Sequence, residues 1–273
     1  MSDTAVSYVL GHDDQELARL ARQANFIDPI TRQFFREAGI APGMRVLDIG
    51  SGAGHTAMVV AELVGASGEV VGADRAERAI SMATRNAQVR ALSNITFQLG
   101  DPIEMVFERP FDAVVGRYVL VFNQDEPGTL RALAKHLVPG GLVAFHEPTM
   151  LVARSIPTVA LYERCCHWRV EGFRAGGVTL DTAQRLHGIF LNAGLPAPAT
   201  RMQVCIGGAT QVAGYLETLV DMIRTLLSTI ERHGIATAAE IDIDTLLDRL
   251  HRDILASGST ILGRADIAAW CRV

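Results

Sequence analysis

The sequence has no apolar run long enough to cross a bilayer, and its first six residues lack the basic and apolar segments of a secretory signal. We therefore expect a cytoplasmic protein with no membrane partner. Only four of the 273 residues are cysteines, and none of them forms a Cys-x-x-Cys pair. This spacing predicts neither a metal centre nor a disulfide framework.

An excess of positive charge is also missing, because the formal net charge is −5. This argues against nucleic acid as a partner and favours a small-molecule substrate. A hydrophobic content of 49% with 20% charged residues is typical of a globular protein that buries a large core. The sequence does not indicate an oligomeric state.

The most informative segment is an apolar strand that runs into a glycine-rich turn at residues 45–54. Asp48 is followed by Gly50, Gly52 and Gly54 at alternating positions. Such a turn lets the backbone approach a ligand, because glycine has no Cβ and adopts positive φ angles. A second apolar stretch ends in Asp74, the position at which α/β nucleotide folds hydrogen-bond a ribose. Together these features predict a site for a nucleotide-like cofactor.

The Asp-x-Gly-x-Gly-x-Gly motif at 48–54, Asp74 and the later Gly100-Asp101 resemble the class I S-adenosylmethionine-dependent methyltransferases over residues 40–148. A dinucleotide oxidoreductase would favour Gly-x-Gly-x-x-Gly, whose third glycine is replaced here by His55. The resemblance implies a methyltransferase with S-adenosyl-L-methionine as cofactor. It also implies an α/β fold: a Rossmann-like, doubly wound sheet of seven strands in the order 3-2-1-4-5-7-6, with strand 7 antiparallel.

In that family the ends of the first four strands surround the cofactor, which assigns roles to the matching residues of this chain. Asp48 and the glycine turn are expected at the methionine end, Asp74 at the ribose and Asp101 at the adenine. From the residues alone, Asp74 has the alternative role of capping the next helix, and Arg117 that of a surface ion pair. The expected cofactor-binding residues are Asp48, Gly50, Ser51, Gly52, Asp74, Arg75, Asp101, Pro102 and Arg117.

Residues 1–273 are expected to form a single methyltransferase domain. Residues 1–40 are predicted to contain two helices, the second starting at Asp28-Pro29. Residues 41–148 form the predicted core of alternating strands and helices, in which Pro139-Gly140-Gly141 marks the turn before the fifth strand. Segments 151–178 and 208–258 are predicted to be helical lid insertions that shape an apolar acceptor pocket. Strands six and seven are predicted near 200–205 and 265–272.

Methyl transfer is an in-line displacement, so positioning of the acceptor supplies much of the acceleration. A hydroxyl acceptor would also benefit from a general base. His146 and Glu147 end the fifth strand and are the candidates for this catalytic role, although a structural role for His146 is the alternative. The expected acceptor contacts are Tyr8, His12, Gln23, Tyr118, His167 and Trp168.

Motifs of other methyl-transfer reactions are absent or incomplete in the sequence. The segment Gly116-Arg117-Tyr118-Val119 lacks the Asn/Asp-Pro-Pro-aromatic turn with which nucleic-acid amino methyltransferases grip a flipped base. The adjacent Cys165 and Cys166 suggest arsenic methylation, but the other cysteines of that family have no match here. Two alternatives stay open: a methyltransferase-like protein that catalyses a reaction such as a cyclisation, and a nicotinamide oxidoreductase.

Overall fold

A computed structural model describes residues 14–273, with side chains from Phe26 onward. The helices are α1 (Asp14–Ala38), α2 (His55–Val64), α3 (Glu77–Val89), α4 (Glu126–Ala134), α5 (Ala160–Ala175), α6 (Thr182–Asn192), α7 (Ala213–Arg232), α8 (Ala238–Ile241) and α9 (Leu246–Ser257). The strands are β1 (Arg45–Ile49), β2 (Glu69–Asp74), β3 (Ile95–Leu99), β4 (Phe111–Arg117), β5 (Leu137–Thr149), β6 (Arg154–Ile156), β7 (Ala199–Gly207) and β8 (Thr260–Arg272). A single 3-10 turn, Leu120–Phe122, follows β4.

The strands form one sheet in the order β3-β2-β1-β4-β5-β8-β6, and β7 also pairs with β8. β1 lies between β2 and β4 and is parallel to both, with Leu47 opposite Val71 on one side and Val114 on the other. All three side chains are buried. Apolar strands of this kind suit a parallel sheet that is covered on both faces.

The last strand, β8, is antiparallel to β5 and to β6. The residue after β8, Val273, exchanges backbone hydrogen bonds with Gly140 and Gly141 at the beginning of β5, so the end of β8 lies at the start of β5. With β7 and β8 as the predicted strands six and seven, the predicted order 3-2-1-4-5-7-6 is confirmed. The short β6, which was not predicted, pairs antiparallel with the start of β8.

Two local predictions were wrong. The N-terminal segment contains one continuous helix across Pro29 rather than two. Proline inside a helix costs about 3 kcal/mol, but Ile27, Phe34 and Phe35 are each 1% exposed. Burying each such side chain contributes about 1.5 to 3 kcal/mol, which outweighs the lost bond. The second error concerns residues 139–141, which lie inside β5 at a register irregularity rather than in a turn before it.

The chain divides into two compact units, of which the first contains Ile27–Glu147, Thr182–Met202 and Asp266–Val273. In this unit, neighbouring residues of β1 contribute to different apolar clusters. Val46 lies with Phe35 and Val60 from α1 and α2, whereas Leu47 lies with Leu130 and Phe190 from α4 and α6. Helices therefore cover both faces of the sheet, as a doubly wound fold requires.

The second unit contains the helices of the predicted lid segments, within Pro148–Asp181 and Gln203–Ala265. Helices α5 and α7 pack closely at Gly172, where an added Cβ would lie 3.3 Å from Leu226 Cδ1. The predicted apolar face of α7 is confirmed by its buried residues, among them Leu216, Leu219 and Ile223. None of the helices described for residues 14–273 has the length and apolar character needed to span a bilayer. The expectation of a single domain stays a prediction.

Candidate active site

The site begins where β1 leaves the sheet. Gly50, Gly52 and Gly54 have φ angles of +57°, +51° and +84°, a region that residues with a Cβ rarely adopt. The turn ends at His55, the first residue of α2. Strand β1 is in register with β2 and β4, so the carboxyl ends of these strands lie at the same edge of the sheet as the turn.

Two of these glycines are required by packing, while the third borders open space. A Cβ on Gly50 would lie 2.8 Å from Val119 Cγ2, and one on Gly54 would lie 2.9 Å from Phe97 Cζ. A Cβ on Gly52 would meet nothing within 4 Å. The turn is thus tightly packed at both ends and open in the middle, which leaves room for a ligand to approach the backbone at Gly52.

Buried polar atoms without partners gather in this turn. Both carboxylate oxygens of Asp48, the hydroxyl of Ser51 and Nδ1 of His55 have no hydrogen-bond partner among the described residues. Such atoms are rare in folded proteins, because an unsatisfied buried polar group costs about 1 to 3 kcal/mol. Their presence within eight positions of the chain is characteristic of a site that binds a polar ligand.

Burial dominates the electrostatics of the turn. It raises the pKa of Asp48 to about 8, although the positive charge of Arg117 and the nearby amide of Ala57, which lies outside hydrogen-bonding geometry, oppose the shift. The negative charge of Asp74 adds to it. Burial, assisted by Arg117, lowers the pKa of His55 to about 4. At neutral pH these shifts leave Asp48 largely protonated and the His55 imidazole neutral.

Asp74 joins the end of β2 to the glycine turn. Its Oδ2 accepts a hydrogen bond from Gly52 N at 2.8 Å, and its Oδ1 accepts one from Ala76 N at 2.9 Å. The N-cap of α3 is Ala76 and this helix has no side-chain cap hydrogen bond, so the alternative role of Asp74 as the helix cap was wrong. A carboxylate has about four lone-pair positions, which leaves acceptor capacity for further donors.

Asp101 follows β3 and lies beside Asp74. The backbone N–H of Gly100 donates to Asp74 O at 2.9 Å, which places the two acidic residues at neighbouring strand ends. Asp101 forms an ion pair with Arg75 and accepts a hydrogen bond from Ile103 N. Pro102 is buried. The structure therefore brings together the expected cofactor-binding residues of the first three strands.

Arg117 ends β4 and is only 9% exposed. Its Nη1 donates to Asp28 Oδ1 at 2.8 Å and to Thr31 Oγ1 at 2.9 Å, both on α1. The alternative expectation for Arg117, an ion pair on the surface, was wrong, because its side chain is largely buried. Arg117 fixes α1 at the edge of the sheet and contributes positive potential to Asp48 and His55.

Glu147 is fully buried at the end of β5. Its Oε1 accepts hydrogen bonds from the N–H groups of Val119 and Leu120 at 3.0 and 2.9 Å, which holds the 3-10 turn that follows β4. Burial raises the pKa of Glu147 to about 8, and these backbone hydrogen bonds oppose the shift. Its observed contacts are those of a residue that shapes the loop, and its catalytic role stays a prediction.

His146 is also fully buried, between α1 and β8. Its Nδ1 lies 3.2 Å from Thr31 Oγ1 and its Nε2 lies 3.0 Å from Asp266 Oδ1. The Tyr118 hydroxyl donates to the same Asp266 oxygen at 2.5 Å. Sequence reasoning missed Asp266, because nothing in the pattern of β8 indicates that its side chain meets a strand end 120 positions earlier in the chain.

Of the other predicted acceptor contacts, only the two in α5 have side chains that the structure describes. Tyr8 and His12 lie outside the described residues, as does the side chain of Gln23. In α5, Trp168 is buried whereas the neighbouring His167 is exposed. Their roles stay predictions.

The cysteines are free thiols, and burial raises the pKa of Cys165 to about 12, with Cys166 shifted in the same direction. Such thiols are poor ligands and nucleophiles, because the thiolate is the reactive form. Within the part of the chain that the structure describes, no three His, Cys, Asp or Glu side chains are grouped to hold a metal ion.

Comparison with known proteins agrees with this geometry. Aklanonic acid methyltransferase DauC from Streptomyces sp. strain C5 is 38% identical over 124 residues, which cover 45% of this chain and 56% of that protein. The 2-phytyl-1,4-naphtoquinone methyltransferase of Synechococcus elongatus is 36% identical over 125 residues, 44% of this chain and 54% of that protein. The matched region thus spans about half the length of these curated relatives.

Among solved structures, phospholethanolamine N-methyltransferase 2 of Haemonchus contortus aligns with a TM-score of 0.54 at 18% identity, covering 88% of this chain and 52% of that one. This likeness supports the fold. A family profile described as a methyltransferase domain matches residues 40–187, more than half of the chain, including the glycine turn and all the strand ends described above. The chain therefore belongs to the class I S-adenosylmethionine-dependent methyltransferase family.

Proposed function

We propose that the chain binds S-adenosylmethionine at the glycine turn and transfers its methyl group to a small, apolar acceptor. The observation that carries the proposal is the group of unpartnered buried atoms on Asp48, Ser51 and His55, next to the open space at Gly52. A ligand with an ammonium, a carboxylate and ribose hydroxyls supplies the partners that these atoms lack.

Each end of the ligand has matching residues. Asp48 and the backbone of Gly50, Ser51 and Gly52 would hold the methionine end, with the Asp48 carboxylate compensating the ammonium. Asp74 keeps acceptor capacity beyond its two backbone hydrogen bonds, which suits the two ribose hydroxyls. Asp101 and Pro102, which follow β3, would hold the adenine.

When bound, S-adenosylmethionine would supply an electrophilic methyl carbon, which the nucleophilic atom of the acceptor would attack in line with the departing sulfur. The contribution of the chain is mainly positioning. The packed glycine turn and the hydrogen-bonded ends of β2 and β3 would hold the cofactor in one orientation, so that the acceptor meets the methyl group in one geometry. In favourable models such positioning contributes about 7 to 11 kcal/mol to the lowering of the barrier. A nucleophilic side chain is not needed.

Three observations support a small, apolar organic acceptor. The two curated relatives are named for aklanonic acid and for a phytyl-substituted naphthoquinone. The negative net charge of the chain gives no basic footprint for nucleic acid. The raised pKa values of Cys165 and Cys166 argue against arsenic chemistry, which needs thiolates.

A transfer experiment tests the proposal. The chain is incubated with S-adenosylmethionine that carries a tritiated methyl group and with a panel of naphthols, hydroquinones and hydroxyanthraquinones. Label in the organic product, together with calorimetric binding of S-adenosylhomocysteine and none of NAD, would support the proposal. Binding of NAD alone would replace it with the oxidoreductase alternative. Product formation with the label retained on the cofactor would replace it with the cyclisation alternative.

A further inference from the structure

Two side chains from distant parts of the chain, Tyr118 and His146, meet at one buried carboxylate oxygen of Asp266. Asp266 Oδ1 accepts the Tyr118 hydroxyl at 2.5 Å and lies 3.0 Å from His146 Nε2. Asp266 and His146 are 2% and 0% exposed, whereas Tyr118 is only partly buried. Of the three, Tyr118 is therefore the one that a ligand can contact.

The protonation state of His146 follows from its neighbours. The Thr31 hydroxyl donates to Ile27 O at 3.1 Å, and its oxygen also accepts from Arg117 Nη1. The remaining contact of this oxygen, with His146 Nδ1, requires a proton on Nδ1. Nε2 lies 3.0 Å from Asp266 Oδ1, and as a donor there it orients the same carboxylate oxygen that the phenol contacts.

The backbone at Tyr118 gives a second, independent indication. Tyr118 has a φ of +60°, which is unfavourable for a residue with a bulky side chain. Strain of this kind persists where the surroundings impose it, and it concentrates at functional sites. The next residue, Val119, lies against Gly50, so the strained position adjoins the proposed cofactor turn directly.

We propose that Tyr118 accepts the proton that a hydroxyl acceptor loses during methyl transfer, and that Asp266 and His146 act as positioning residues for the Tyr118 hydroxyl. This inference rests on the proposed function. The acceptor proton passes to Tyr118 Oη while Tyr118's own proton passes to Asp266 Oδ1. The electron pair of the broken O–H bond forms the new O–C bond, and the electron pair of the C–S bond remains on sulfur.

Two variants test the inference, with a third as control. Tyr118→Phe removes the accepting oxygen and Asp266→Asn removes the carboxylate that orients it. We expect each to lower kcat about 100-fold or more with the panel compound that the wild-type chain methylates. The dissociation constant for S-adenosylhomocysteine should stay within threefold. Tyr162→Phe loses a comparable hydroxyl, which donates to Leu262 O in the other compact unit, and should keep kcat within threefold.

A spectroscopic measurement tests the same inference without a methyl acceptor. In nitrogen-15 histidine spectra of the chain saturated with S-adenosylhomocysteine, both Tyr118→Phe and Asp266→Asn should shift the Nε2 resonance of His146, whereas Tyr162→Phe should not. The inference is overturned if the wild-type chain methylates the panel compound while both variants keep turnover within threefold, or if the His146 resonance is the same in all chains. A wild-type chain that neither binds S-adenosylhomocysteine nor transfers methyl groups refutes the proposed function instead.

Discussion

The carboxylate of Asp74 at the end of β2 holds the backbone N–H of Gly52 at 2.8 Å, which ties the second strand to the turn that follows the first. The Asp74 side chain thus fixes the open middle of the turn and also retains acceptor capacity for a ligand. The arrangement explains why an acidic residue at this position suits a nucleoside site in a parallel sheet.

Removing that carboxylate should weaken cofactor binding. We expect Asp74→Ala to reduce the affinity for S-adenosylhomocysteine by about 1.5 to 3 kcal/mol, as for other hydrogen bonds to charged groups, measured by calorimetry. The matched control is Asp112→Ala, since Asp112 Oδ2 accepts a backbone hydrogen bond from Arg45 at the opposite end of β1. Equal losses of affinity in both variants would mean that Asp74 acts only through folding.

A methyl group at the open position of the turn should block the ligand. Gly52→Ala places a Cβ where the protein itself leaves space, so binding should fall at least tenfold while stability falls only by the cost of a left-handed alanine, about 1 to 2 kcal/mol. Gly258→Ala is the control, because Gly258 has a φ of +61° and equally open surroundings at the end of α9. It should lose stability alone. An unchanged affinity in Gly52→Ala would place the ligand elsewhere.

Cofactor binding should release a proton from Asp48. Burial raises the pKa of this residue to about 8, and a ligand ammonium beside it would favour the ionised form. Affinity for S-adenosylhomocysteine should therefore rise between pH 6 and about 8, and the calorimetric heat at pH 7 should depend on the buffer. Asp48→Asn should abolish the part of the proton release that Asp48 contributes. The same release in that variant would exclude Asp48 as its source.

Glu147 should make the fold less stable as the pH rises from about 4.5 to about 8. Burial raises its pKa from 4.5 to about 8, so the folded state binds the proton more tightly than the unfolded state. The associated stabilisation is complete below about pH 4.5 and is lost as the pH rises to about 8. The difference in unfolding free energy between the wild-type chain and Glu147→Gln, from urea titrations, should follow this trend. A constant difference across that range would show that Glu147 is not the group responsible.

Much of the fold could be predicted, because strands such as Val46-Leu47 and Val70-Val71 are apolar on both faces and alternate with helical segments. The single helix across Pro29 was missed, since its stability comes from the burial of Ile27, Phe34 and Phe35, which local pattern does not report. The short β6 was also missed because three residues carry no periodicity.

The site residues likewise fall into those that the sequence could predict and those that it could not. The positions of Asp48, Asp74 and Asp101 could be predicted, because each lies at or near the carboxyl end of a strand, in a motif whose residue types have a physical reason. Asp266 could not, since its contact with Tyr118 depends on the antiparallel return of β8 to the side of β5. The same limit applies to Glu147, whose hydrogen bonds to Val119 and Leu120 are set by a loop shape and not by spacing.

The central claim is that the glycine turn and the ends of the first three strands hold S-adenosylmethionine. A crystal structure of the chain grown with S-adenosylhomocysteine tests it most directly. We predict density along Gly50, Ser51 and Gly52, with the ribose hydroxyls within hydrogen-bonding distance of Asp74 and the adenine beside Asp101. Density for the ligand at any other place, with the turn empty, would contradict the account.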